Sequence, residues 1–80
     1  MFKNKNGSKS NLCGEKIREL RLAYSPKMSQ RALADKLQLV GIDVDKNAIQ
    51  RIECGKRFVT DIELKALADI FRVKTDDLIQ

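Results

Sequence analysis

Between Asn11 and Leu78 the apolar residues of this chain recur at intervals of three and four, in short runs separated by capping residues. Side chains at that spacing share one face of an α-helix, whereas a half-buried strand needs them at every second position. The first run, Cys13, Ile17, Leu20 and Tyr24, predicts a helix from about Leu12. Asn11 is its expected N-cap and Ser25-Pro26 its stop, because proline restricts the residue before it. Ser29 caps a second helix that runs to about Gln38, with Leu33, Ala34 and Leu37 on one face. Asp45 caps a third, with Ala48, Ile49 and Ile52 turned inward, and Gly55 is the residue expected to end it in a left-handed conformation. Thr60-x-x-Glu63 forms a capping box before a fourth helix striped by Leu64, Leu67, Ala68 and Phe71. Thr75-Asp-Asp opens a last short turn with Leu78 and Ile79, its acids placed where they favour the helix dipole.

One segment departs from this pattern. Residues 39–44, LVGIDV, alternate enough to suggest a strand, but the chain offers no second strand to pair with it. They are read as a packed loop, with Ile42 and Val44 turned toward the core, while Val59 and Val73 fill joints between helices. The fold class that follows is all-α, a compact five-helix bundle. Residues 1–11, rich in Lys, Asn, Ser and Gly, are expected to form a flexible basic arm before a single domain over 12–80.

Eighty residues suffice for one small domain near the lower limit of what a hydrophobic core can stabilise. The 16 basic and 11 acidic side chains give a net charge of +5 that is unevenly spread. Residues 1–31 carry eight Lys/Arg against two acids, whereas residues 60–80 carry three against five. A basic front and a slightly acidic rear suit a polyanion, although a solvated surface accounts equally for the charge alone. Cys13 and Cys54 lie 41 positions apart, and with no histidine and no C-x-x-C the sequence has no zinc spacing. Both are expected to be reduced structural cysteines in a cytoplasmic protein, since no signal peptide is recognised and no apolar run is long enough to span a membrane. No metal, no cofactor and no catalytic constellation is expected: there is no glycine-rich phosphate loop and no Ser or Cys beside a plausible base.

The third predicted helix carries the functional signal. Its outward positions are Lys46, Asn47, Gln50 and Arg51, with no carboxylate after Asp45 on that face. Lys, Asn, Gln and Arg are the side chains that donate to base edges and phosphates in a major groove. Each also has an ordinary reading: Gln50 and Arg51 as solvated surface, Asn47 as a residue favoured at helix starts.

Q-x-x-L-A-x-x-L from Gln30, followed by I-x-x-I-E-x-G-K-R from Ile49, resembles the Cro/repressor helix-turn-helix family, also called the Xre family. Ile17-Arg-Glu-Leu-Arg21 resembles the first helix of that family, and Asp61-x-Glu-Leu-x-x-Leu-Ala with Val73-x-x-Asp-x-Leu78 resembles the fourth and fifth. The likeness covers about residues 12–79 and implies a lambda-repressor-like DNA-binding domain. Residues 38–46 look some five residues longer than the usual turn of the family, and the loop after the first helix about two residues longer.

The resemblance implies a sequence-specific transcriptional regulator, a repressor by expectation, that reads double-stranded DNA with Lys46, Asn47, Gln50 and Arg51. Gln30, Arg31, Lys56 and Arg57 would hold phosphates, with Gln30 also bracing helix three. Arg21 and Glu53 would form a partly buried ion pair, and Ala34 would stay small where two helices cross. The expected state is a homodimer on an inverted repeat, joined through Leu78 and Ile79 of helix five. Lys3, Lys5 and Lys9 of the arm would track a groove or be a plain terminus. The alternative reading is a protein-interaction module, such as an antitoxin-like partner, which the apolar LVGIDV loop supports.

Overall fold

A computed structural model describes residues 11–79; residues 1–10, with Lys3, Lys5 and Lys9, and Gln80 lie outside the described residues. Five helices follow one another: α1 (Gly14–Ala23), α2 (Gln30–Leu39), α3 (Lys46–Glu53), α4 (Asp61–Phe71) and α5 (Thr75–Leu78). Among the described residues there is no strand.

The helix starts follow from local chemistry. The first backbone N–H groups of a helix have no partner within it, and a short side-chain acceptor supplies one. Ser29 Oγ accepts from Ala32 N at 3.0 Å and Asp45 Oδ1 from Ala48 N at 2.8 Å. At α4 the box is complete: Glu63 N donates to Thr60 Oγ1 at 3.2 Å, and Thr60 N donates to Glu63 Oε1 at 3.0 Å.

Helix α1 starts two residues later than the apolar period alone suggests, with Cys13 as its N-cap residue. Asn11 still serves its first turn, because Asn11 Oδ1 accepts from Gly14 N at 2.8 Å. The same side chain donates to Ile52 O at 3.1 Å and to Arg57 O at 2.8 Å, and it is buried. Asn11, expected within the arm, is thus packed against α1 and the α3 exit.

The exit of α3 is a Schellman turn. Lys56 N donates to Arg51 O at 2.8 Å and Gly55 N to Ile52 O at 3.0 Å, with Gly55 at φ 78°. Helix α4 ends the same way through Val73 N to Ala68 O, but with Arg72 in the left-handed position at φ 58°. Helix α2 closes through Ile42 N to Leu37 O at 2.9 Å. The connection beyond it is a loop, as an unpaired alternating segment must be. Val44 is buried and Ile42 half-buried, and Gln38 Nε2 donates to Val44 O at 2.6 Å.

The core gathers one residue stripe from each helix: Ile17, Leu33, Leu37, Ile49, Ile52, Leu67 and Leu78 are all almost fully enclosed. Tyr24 and Phe71 close one side as an edge-to-face pair, with ring centroids 6.2 Å apart. Cys13 is part of this core, where burial pushes its thiol up to about 11 and keeps it neutral. Two expectations change here. Leu78 is completely buried within its own domain, so it is not spare apolar surface for a second chain; of the pair only Ile79 is exposed. Cys54 is a free thiol, as a reduced cysteine must be, but it is exposed and so has no structural part in the core.

Candidate nucleic-acid interface

Helix α3 has two opposed faces. Inward, Ile49 and Ile52 are sealed in the core; outward, Lys46, Asn47, Gln50 and Arg51 are all exposed. Positions three and four apart lie above one another on a helix, so these four form one stripe. Exposed Cys54, three residues beyond Arg51, continues it at the C-terminal end. A residue beside a C-cap glycine carries no burial signal of its own, so the sequence alone does not place Cys54 on this stripe.

A buried polar cluster fixes how α3 sits. Arg21 Nε donates to Glu53 Oε2 at 2.7 Å and Arg21 Nη2 to Glu53 Oε1 at 3.0 Å. Arg21 Nη1 donates to Met28 O at 3.0 Å, and Gln30 Nε2 donates to Glu53 Oε1 at 3.1 Å. The single carboxylate of Glu53 thus joins α1, the start of α2 and the end of α3. Both ion-pair side chains are buried more deeply than a partial pairing implies, with 10% and 3% of their surface exposed. A bidentate guanidinium–carboxylate pair is the geometry that tolerates such burial.

A second staple lies at the helix origin. Gly14 packs against the end of α3 so closely that a Cβ there would collide with the carbonyl oxygen of Ile52. Here the glycine answers a close backbone approach rather than an unusual φ. With the Asn11 amide on Ile52 O and Arg57 O, it seats α1 directly on the α3 exit. Sequence reading gave neither residue this role; the one available signal was a glycine near a predicted helix start.

The structure distributes the expected phosphate contacts unequally. Arg31 and Lys46 line one cleft of about 310 Å³ between α2 and the start of α3, together with Asp35 and Asp45. Lys56 is exposed just past α3. Gln30 has its amide nitrogen on Glu53. Arg57 is directed elsewhere: Nη1 and Nη2 reach Glu63 Oε1 and Oε2 at 3.0 and 3.1 Å, and Nη1 also donates to Phe58 O. This half-buried fork ties the α3 exit to the α4 capping box. The Arg57 bond holds the Glu63 carboxyl below its ordinary value of 4.5, and Glu63 in turn raises Arg57.

The helix-turn-helix family model matches residues 17–78. The chain belongs to the helix-turn-helix family. Searches among curated proteins and among solved structures returned no match. Family membership makes this helix-turn-helix protein a DNA-binding regulator by class, with α2 and α3 as the helix pair. Among its described residues no helix is long and apolar enough to cross a membrane. No cluster of His, Cys, Asp or Glu among them could hold a metal ion.

Proposed function

We propose that this helix-turn-helix protein is a sequence-specific transcriptional repressor that lays α3 in the major groove. One observation carries the reading: four exposed hydrogen-bonding or basic side chains share the outer stripe of a helix whose inner stripe is sealed and clamped. Lys46, Asn47, Gln50 and Arg51 are its base readers, each good bidentate contact being worth about 1–3 kcal/mol of discrimination. Gln30, Arg31 and Lys56 are its phosphate contacts, while Arg57 acts through Glu63 to position the α3 exit. One such helix reads only ~4–5 base pairs, which calls for two copies on an inverted repeat with half-sites about one helical turn apart.

Binding-site selection from a random-sequence pool, followed by titrations of variants, tests this. Arg51→Ala is expected to relax base preference at one position of the half-site. Lys56→Ala is expected to weaken binding to all sequences alike and to lower the salt slope by about 1. Wild-type affinity and specificity in both variants would remove α3 from the interface.

A further inference from the structure

An apolar hollow among the described residues lies away from the α3 stripe and shares no residue with it. Val40 and Ile42, from the loop after α2, face Ile62, Ala66 and Ile70 of α4 across an open groove of about 600 Å³. Val40 is 61% exposed and Ile62 72% exposed, and unlike the other exposed large apolar residues, such as Leu39 and Phe58, they line this groove together. The α4 wall repeats every four residues over positions 62, 66 and 70, a length of about 12 Å or just over two helical turns. Ala66 at its centre leaves room for a large side chain or a close backbone.

The charges around this groove oppose those of the rest of the chain. Asp61 and Asp69 line it at the two ends of the apolar stripe, and Asp43 follows Ile42. Lys65, the basic residue of the lining, pairs with Asp69 at 3.6 Å across one helical turn, with both side chains largely exposed. The two offset one another, and Asp61 supplies the excess negative charge. On a protein of net charge +5 the lining of this apolar site is net negative by one, with Asp61 and Asp69 against Lys65.

We infer that this groove is the docking site for a protein partner that presents an amphipathic helix with an apolar stripe flanked by lysine or arginine. Such a helix lays apolar side chains at i, i+3/i+4 and i+7 along the wall formed by Ile62, Ala66 and Ile70. Its flanking cations meet Asp61 and Asp69, which sets orientation and speeds encounter. The partner could then be held on DNA-bound protein without competing for the α3 face. The inference rests on the groove alone and stands or falls apart from the DNA-binding reading.

The test is a displayed library of single-helix peptides with randomised surface positions, selected against the full-length protein. Peptides recovered are expected to carry an apolar i, i+3/i+4 stripe with Lys or Arg on both flanks. Synthesised with a fluorophore, they should lose at least tenfold in affinity to Ile62→Glu and several-fold to the Asp61→Asn, Asp69→Asn double variant. Leu22→Glu, an equally drastic change at an exposed apolar position on α1, should leave affinity unchanged. Ile62 is on the surface, and matching thermal unfolding of wild type and Ile62→Glu confirms that the fold is kept. Failure to recover any binder overturns the proposal, as do peptides with acidic flanks or binding indifferent to Ile62→Glu. A wild-type dimer in sedimentation that Ile62→Glu dissociates also overturns it, because a second copy is then the occupant.

Discussion

Arg21 on α1 and Glu53 on α3 meet in a buried bidentate pair, 2.7 and 3.0 Å between guanidinium nitrogens and carboxylate oxygens. The pair fixes the inner end of the proposed reading helix. It also accounts for an acid on a helix proposed to face a polyanion: Glu53 points inward and its charge is matched there. Removing one partner leaves the other charged and buried, which costs roughly 3–5 kcal/mol, whereas replacing both with apolar residues of similar size is often neutral. Arg21→Ala and Glu53→Ala are each expected to lower unfolding free energy by that amount in urea titrations. Arg21→Met with Glu53→Leu is expected to recover most of it. A loss below about 1 kcal/mol in both single variants would contradict the clamp.

Asn11 satisfies three backbone groups on two segments, Gly14 N, Ile52 O and Arg57 O. Asn11→Ala deletes all three bonds in a buried setting, where an unsatisfied group costs roughly 1–3 kcal/mol. The expected loss is about 2–3 kcal/mol by thermal or urea unfolding. Asn11→Asp keeps the acceptor for Gly14 but sets a carboxylate against two carbonyl oxygens, so it should not rescue stability. A variant Asn11→Ala as stable as wild type would show that these three bonds add nothing net to the fold.

Gly14 faces the backbone of α3 rather than a yielding side chain. Gly14→Ala improves helix propensity by about 1 kcal/mol in isolation. The backbone collision should outweigh this, since overpacking costs typically 1–3 kcal/mol, and here neither helix can give way without moving the core. Net destabilisation on unfolding is the expected result; net stabilisation would show that α1 is free to shift.

Glu63 gives the fold an acid-sensitive joint. Its folded-state pKa is lowered by the Arg57 bond, so protonation favours the unfolded chain. The stabilisation is complete above the ordinary value of 4.5 and is lost as pH falls through the depressed folded value. Glu63→Gln should flatten this acid limb of a stability-versus-pH curve, and Arg57→Ala should do the same by removing the cause. An unchanged acid limb in both variants would show the pair contributes no linkage.

Arg72 occupies a left-handed position at φ 58° where a residue with a Cβ is strained. Arg72→Gly should raise stability by about 0.5–1 kcal/mol, read as a higher midpoint in urea with the slope unchanged. A lower midpoint would mean that the Arg72 side chain makes a stabilising contact that outweighs the strain.

Much of the architecture was written locally. Three capping residues, Ser29, Asp45 and Thr60, and the stop at Gly55 act within one helical turn, so period and caps alone predict where α2, α3 and α4 begin and where α3 ends. The outward stripe of α3 was legible for the same reason, since a helix of known start fixes which residues share a face. What depends on residues far apart in sequence was not legible in that way. Asn11 reaches α3 across more than forty positions, Gly14 is required by a carbonyl on another helix, and the Arg57 fork goes to Glu63 instead of outward. Leu78 reads as surplus apolar surface until the core closes over it. The sequence by itself determined the helices, their caps and the chemistry of the exposed face, because these follow from interactions within a few residues. Only the tertiary structure decided which polar side chains are consumed in holding that face and which are left to meet a ligand, because that choice depends on packing distances between helices.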